Sequence, residues 1–143
     1  MHFNDYNLVA EVYDTYVSAT YDYSFFLKRV KTGMRVLELT SGTGRLSLPL
    51  IKAGALLTCV DISSGMINVL KRKLDSESLQ ASVLCADVQH LGFSEEFDIV
   101  LFPFQSFMEL VGKEQQLNAL RSANNALVPS GSFYCTMHNP VIR

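Results

Sequence analysis

The sequence contains no tryptophan and only three cysteines. Cys59, Cys85 and Cys135 form an odd, widely spaced set without a CxxC pair. That excludes a disulfide framework and a thiolate zinc site, and no metal is expected. All three lie in apolar, strand-like runs, where they are expected as buried thiols of a reducing cytoplasm. No apolar run is long enough to span a bilayer, so no membrane association is expected. The opening MHFNDYNLVAEVYD carries acids and no basic n-region, unlike a secretory signal. Basic charge is scarce as well. Twelve Lys and Arg against fourteen Asp and Glu give a net charge of −2. With no basic stripe, a nucleic-acid partner is not indicated. Charged residues make up 18% and hydrophobic ones 48%, a balance that excludes a disordered chain and suits one domain with a real core.

What the chain does have is an alternation. After FFLKRV (25–30), which reads as a helix end, Lys31-Thr32-Gly33 is a stop signal. Apolar runs then recur at 35–39, 56–61, 81–87, 97–103 and 132–137. Between them lie stretches with helical spacing at 45–54, 63–74 and 113–127, the second with Ser63 as a plausible N-cap. Continuous apolar runs predict strands covered on both faces, and strands alternating with helices predict a doubly wound parallel sheet. Residues 1–32 read as a separate N-terminal helical segment and 33–143 as the core.

The strongest chemical signal is a strand, a glycine turn and a helix over residues 36–46, ValLeuGluLeuThrSerGlyThrGlyArgLeu. Glycines there let a ligand approach the backbone, and the helix start presents free N–H groups. A dinucleotide fingerprint needs a small third residue where this chain has Ser47, so that reading is weak. Each early strand also ends near a carboxylate: Glu38, Asp61 and Asp87. In a doubly wound sheet these gather along one edge, where ligands bind. They suit a ligand rich in donors and would repel a pyrophosphate.

These segments resemble class I S-adenosylmethionine-dependent methyltransferases. Residues 36–46 are similar to the family's first motif, ValAspIleSer (60–63) with Met66 to the second, and CysAlaAspVal (85–88) to the third. PheAspIleValLeuPhe (97–102) and LeuValProSerGlySerPhe (127–133) resemble the fourth and fifth strand motifs. The resemblance implies a Rossmann-like α/β fold, three layers deep, with a mostly parallel sheet of order 3-2-1-4-5-7-6. Five of the usual seven strands are expected here, so the chain reads as C-terminally truncated. Thr40 stands where the family has glycine or alanine, and is expected to crowd the cofactor's methionine tail.

The resemblance also implies roles. Gly42, Thr43 and Gly44 would meet the methionine part of S-adenosylmethionine, and Glu38 would orient its amine. Asp61 would hold the ribose, Ile62 and Met66 would pack on adenine, and Asp87 with the Val88 amide would read the adenine edge. Arg45, a cation at a helix start, needs a carboxylate, from the cofactor or from Glu38. Phe102 would lie beside the transferred methyl. Tyr13, Tyr21, Phe104, Phe107 and His138 are candidates for cofactor or substrate contact, with core packing the competing reading. No general base stands out. The expected function is methyl transfer to an unidentified acceptor, a small molecule before protein or RNA. The alternatives are a non-catalytic S-adenosylmethionine-binding module and a NAD-dependent oxidoreductase. The fifth strand, uncharged and without its outer neighbours, is expected to expose an edge that pairs two copies of the chain.

Overall fold

Most residues of the central strands are apolar, at neighbouring positions as well as alternate ones, because helices cover the sheet on both sides. The computed structural model describes residues 5–141. Strands β1 (Arg35–Leu39), β2 (Leu56–Asp61), β3 (Ser82–Cys85), β4 (Phe97–Phe102) and β5 (Leu127–Cys135) form one sheet in the order β3-β2-β1-β4-β5. Every adjacent pair is parallel. The helices are α1 (Tyr13–Tyr16), α2 (Tyr23–Arg29), α3 (Ser47–Lys52), α4 (Ser64–Ser76) and α5 (Lys113–Ala126). This is the expected Rossmann-like three-layer α/β architecture with five strands.

Strand alternation sorts the apolar residues into two cores. Val36, Leu57, Cys59, Ile99 and Leu101 face Phe26, Leu50 and Leu70 from α2, α3 and α4. Leu37, Leu39, Val60, Val100 and Phe102 face the opposite side, against Val88 and α5. There α5 contributes Ala119, Ala123 and Ala126, whose small side chains let the helix sit close. Its buried Ser122 Oγ accepts the Leu91 N–H at 3.0 Å. Ser63 caps α4 as expected, accepting the Met66 N–H at 3.2 Å.

The outer strands depart from two-sided coverage. Ser82, Leu84 and Cys85 of β3 are exposed, so Cys85 is not the buried thiol its apolar run suggested, and Cys135 is half-buried. Between β3 and β4 the chain has just the helical turn Val88–His90. Without a full crossover helix, Leu56, Thr58, Leu84 and Phe93 line an open trough.

The fifth strand also differs from its expected bounds. It begins at Leu127, directly after α5, and ends at Cys135, short of Met137. Leu127 pairs with Phe97, and Ser132 with Ile99. One β4 residue therefore faces four on β5, and Pro129-Ser130-Gly131 is a bulge inside the strand, where a turn before it was expected. The bulge leaves little room for a side chain at position 131. A Cβ at Gly131 would lie 3.0 Å from the Val128 carbonyl oxygen and 3.1 Å from that of Asp98. Among the described residues no helix is long and apolar enough to cross a membrane.

Gly131→Ala is expected to destabilise the chain by about 1–2 kcal/mol, because backbone oxygens must move to admit the methyl. Urea denaturation monitored by circular dichroism measures it; an unchanged midpoint would remove the bulge's steric requirement.

Candidate functional site

Strand β1 lies between β2 and β4, although β4 follows β3 in the chain. The connections therefore leave β1 and β4 in opposite directions, and a crevice opens beyond their carboxyl ends. Residues 40–44 leave β1 and residues 103–109 leave β4 at this edge, as its two walls.

The first wall is a run of left-handed backbone: Thr40 (φ 55°), Gly42 (φ 58°) and Gly44 (φ 94°). A β-branched residue in that region is strained, which explains physically why a residue without a branched Cβ suits position 40. Thr40 Oγ1 donates to the adjacent Leu39 carbonyl at 2.5 Å. The two glycines differ in purpose. A Cβ on Gly44 would lie 2.5 Å from Leu70 and 2.6 Å from Leu48, whereas one on Gly42 would meet nothing within 4 Å. Gly44 is therefore held to glycine chiefly by its left-handed φ, since the near atoms are movable leucine ends, and Gly42 borders open space.

Asp61 braces this turn. One carboxylate oxygen accepts the Gly42 N–H at 2.9 Å and the other the Ser63 N–H at 2.9 Å. Burial pushes the Asp61 carboxyl above the usual carboxylate value, and the N–H bonds from Ser63 and Gly42 oppose that shift. Each oxygen keeps a further lone pair. Beside it, Ile62 is 69% exposed, an unusual placement for a branched apolar side chain.

Glu38 lies beneath the turn, 1% exposed, and accepts the Ser47 hydroxyl at 2.5 Å. Burial raises its carboxyl to about 8, with Ser47 and Arg45 opposing and Asp61 and Asp22 reinforcing. Ser47, the residue that spoils a dinucleotide fingerprint, is thus the partner of Glu38.

Arg45 does meet a carboxylate, although neither of the two expected. Its guanidinium forks onto Asp22 at 2.6 and 2.7 Å and also donates to the Ala19 carbonyl. The guanidinium carbon sits 4.3 Å from the Phe104 ring centroid, and Phe104 stacks with Tyr21. Phe104 and Gln105 are both left-handed, at φ 56° and 61°, so the second wall is strained too.

The N-terminal segment lies against this crevice. Asp14 accepts the Thr43 hydroxyl at 2.6 Å. Asn7 Oδ1 accepts the Gly65 N–H and the Ser63 hydroxyl, both at 2.8 Å. The Tyr6 hydroxyl donates to Glu109 at 2.8 Å. Tyr13 is half-buried, its ring edge-on to Tyr6 and Tyr16.

Other expected residues fall differently. Met66 is 2% exposed, covered by Ala10 with Tyr6 and Tyr13, and Phe102 is wholly buried against Phe107. Strand alternation turns the Phe102 ring into the α5 core, so neither side chain offers free surface to a ligand. Asp87 caps the next turn, accepting the Gln89 N–H at 2.9 Å, and Val88 is buried in the core. His138 is exposed beyond β5, its backbone N–H directed at Met108 Sδ. Sequence reasoning missed Asp14, Asp22 and Asn7, which belong to no motif, and the pairing of Ser47 with Glu38; all gain their partners only through folding.

Comparison with known proteins now bears on this geometry. Residues 36–131 match the family described as a methyltransferase domain. The chain belongs to that family. The chain is similar to the cypemycin N-terminal methyltransferase of a Streptomyces species, 30% identical over 108 residues, covering 76% of this chain and 43% of that protein. The ubiquinone/menaquinone biosynthesis C-methyltransferase UbiE of Coxiella burnetii is 30% identical over 116 residues, 77% of this chain and 45% of its own. An S-adenosylmethionine-dependent methyltransferase from Clostridium acetobutylicum superposes with a TM-score of 0.76 at 24% identity, covering 92% of this chain and 57% of that one. The chain thus spans about half the length of the relatives it matches. The matched residues include both the turn after β1 and the loop after β4.

The buried Glu38 makes stability depend on pH. Its folded value of about 8 exceeds the ordinary glutamate value of 4.5, so the folded chain holds a proton that the unfolded chain releases. Stability from this group is full below the unfolded value and falls as pH rises toward 8. Glu38→Gln, which keeps an acceptor for Ser47, is expected to flatten that fall and to exceed the parent's stability at pH 8 to 9. Thermal unfolding of both proteins from pH 5 to 9 measures it; parallel curves would contradict a buried protonated Glu38.

Proposed function

We propose that this chain binds S-adenosylmethionine in the crevice beyond β1 and β4 and serves methyl transfer to a small-molecule acceptor. The observation that carries the reading is Asp61 braced against Gly42 beneath open space. The N–H of Gly42, which a pyrophosphate would need, is already donated to a carboxylate. What Asp61 still offers is one free acceptor site on each oxygen, which suits a pair of ribose hydroxyls. The exposed Ile62 beside it offers an apolar face to a flat base, and the open side of Gly42 admits the aliphatic tail. Asp87 and the Val88 amide lie at the next strand end, where an adenine edge would fall. A nicotinamide dinucleotide fits this donor set poorly, while an S-adenosylmethionine-binding module without catalysis shares every one of these features.

S-adenosylmethionine, when bound, supplies a methyl group on a sulfonium, already activated for in-line displacement. The chain's part is position. Residues 40–44 and Asp61 fix one end of the ligand, and residues 103–109 wall the side where an acceptor would enter. Phe104 and Tyr21 give that wall an aromatic surface suited to an apolar or flat acceptor. Among relatives the named acceptor positions already differ, one being an N-terminal and another a C-methyltransferase. The core therefore fits many acceptors.

Partnering follows from the sheet. Strand β5 has a neighbour on one side only among the described residues. Its outer N–H and C=O groups suit pairing with a second copy of the chain. Light scattering is expected to show mass rising with concentration; a monomer at every concentration would remove that pairing.

S-adenosylhomocysteine is expected to bind in calorimetry and NAD is not. Asp61→Ala should weaken binding roughly tenfold or more, since it leaves hydroxyls unpaired and frees the turn. Met66→Ala should cost stability, about 2–3 kcal/mol, and less affinity, because Met66 is buried. An absence of heat with S-adenosylhomocysteine, or a larger affinity loss at Met66, would overturn the reading.

A further inference from the structure

Three ion pairs tie the N-terminal segment to the rest of the chain. Arg45 is met by Asp22, Arg72 by Glu11 and Lys73 by Asp14. Each of these cations is matched by a carboxylate of that segment. Glu109, in the loop after β4, differs: among the described residues it makes no ion pair. Its partner is a neutral group, the Tyr6 hydroxyl, which donates to Oε1 at 2.8 Å.

The Tyr6–Glu109 bond spans the crevice. Tyr6 packs with Met66 and Val69 of α4, which follows β2, whereas Glu109 follows β4. Strand β1 lies between those two strands, so the bond crosses beyond its carboxyl end. The electrostatics agree. Burial first, and then the bond and charge of Glu109, push the Tyr6 phenol above its ordinary value, with Asp61 adding to the rise. Burial likewise raises Tyr13, Arg45 opposes, and Glu109 and Asp61 reinforce. Glu109 and Asp61 thus act on the same two phenols from opposite sides of the crevice.

Aromatic rings flank this carboxylate. Tyr6 and Tyr13 meet edge to face with centroids 6.1 Å apart, and Tyr13 and Tyr16 at 5.5 Å. A carboxylate without a cation, set beside tyrosine rings, suits a positively charged amine. The anion supplies charge and acceptor oxygens, and the rings attract cations. An anionic acceptor would be repelled here, because Arg45 is already committed to Asp22.

We propose that Glu109, held by Tyr6, is a binding residue for a cationic amine of the small-molecule acceptor, with the rings of Tyr6 and Tyr13 beside it. This rests on the reading of the crevice as an S-adenosylmethionine site, in which Asp61 and the turn after β1 hold the cofactor and the loop after β4 meets the acceptor.

The test compares benzylamine, a cation at neutral pH, with benzyl alcohol, which has the same ring and no charge. Each is titrated into the 143-residue chain, with and without S-adenosylhomocysteine, and followed by NMR of the tyrosine rings. Benzylamine is expected to bind about tenfold more tightly, the worth of one hydrogen bond to a charged group. Glu109→Gln, which keeps an acceptor for Tyr6, should bring the two probes to equal affinity and leave S-adenosylhomocysteine binding unchanged. Tyr6→Phe, which removes the bond and keeps the carboxylate, should retain most of the preference. Equal binding of the probes to the parent, or a preference that survives in Glu109→Gln, overturns the assignment and leaves the cofactor reading intact. A loss in Tyr6→Phe equal to that in Glu109→Gln makes the pair a structural strap and overturns it too. So does a Glu109→Gln protein that loses affinity for S-adenosylmethionine but not for S-adenosylhomocysteine, since Glu109 then answers to the cofactor's own sulfonium. A parent chain that prefers benzylamine but binds no S-adenosylhomocysteine ends the cofactor reading and, with it, the acceptor role of the amine.

Discussion

The fork between Arg45 and Asp22 is the interaction on which the site's geometry depends. Arg45 sits in the turn between β1 and α3, and Asp22 at the start of α2. Their side chains are 11% and 5% exposed. Breaking such a pair leaves a desolvated charge, so losing one partner costs far more than the pair itself contributes. The same guanidinium holds the Ala19 carbonyl and lies over Phe104, and Tyr23 donates its hydroxyl to the Arg45 carbonyl at 2.5 Å. Three separate parts of the chain meet at one side chain: the N-terminal segment, the turn after β1 and the loop after β4. Arginine suits this post because its rigid fork and flat face serve a carboxylate and a ring at once.

The electrostatics of the crevice follow from that arrangement. With Arg45 committed to Asp22, Glu38 has no cation of its own and relies on Ser47. A buried carboxyl in that position keeps its proton more cheaply than it keeps a charge. Asp61, less deeply placed and supported by two backbone N–H groups, is the better anion. Two acids a few residues from the same turn thus take different roles through burial and donors alone, which is the usual means by which one site holds both a neutral and a charged carboxyl.

Much of this could be read from the residues in order. The apolar runs located every strand, Ser63 announced its helix, and the spacing of Gly42 and Gly44 located the turn. Arg45 illustrates where local reasoning stops. A cation before a helix start signalled a carboxylate partner, but its partner lies 23 residues back in the chain. Met66 and Phe102 are buried, which their motifs do not reveal, because a motif places a residue near a site without saying which face its side chain takes. For Phe102 the β4 register decides that, and for Met66 the N-terminal segment does. Ser47, read in sequence, marks only the lack of a glycine or alanine at the third fingerprint position. The β5 bulge was hidden for a similar reason: Pro-Ser-Gly reads as a turn until strand pairing shows it lies within the ladder.

The sheet that separates the two cores has a thermodynamic consequence. Val36 and Leu37 are neighbours in sequence, yet one packs with Leu50 and Leu70 and the other with Ala119 and Ala123. Side chains on opposite faces share no packing partner, and free-energy changes at sites without shared partners add nearly independently. The layer facing α5 and the layer facing α3 and α4 can therefore accumulate substitutions on separate accounts, each limited by its own packing. Sequence drift on one side need not be compensated on the other, and the turn after β1, anchored through β1 to both, is where the two histories must agree.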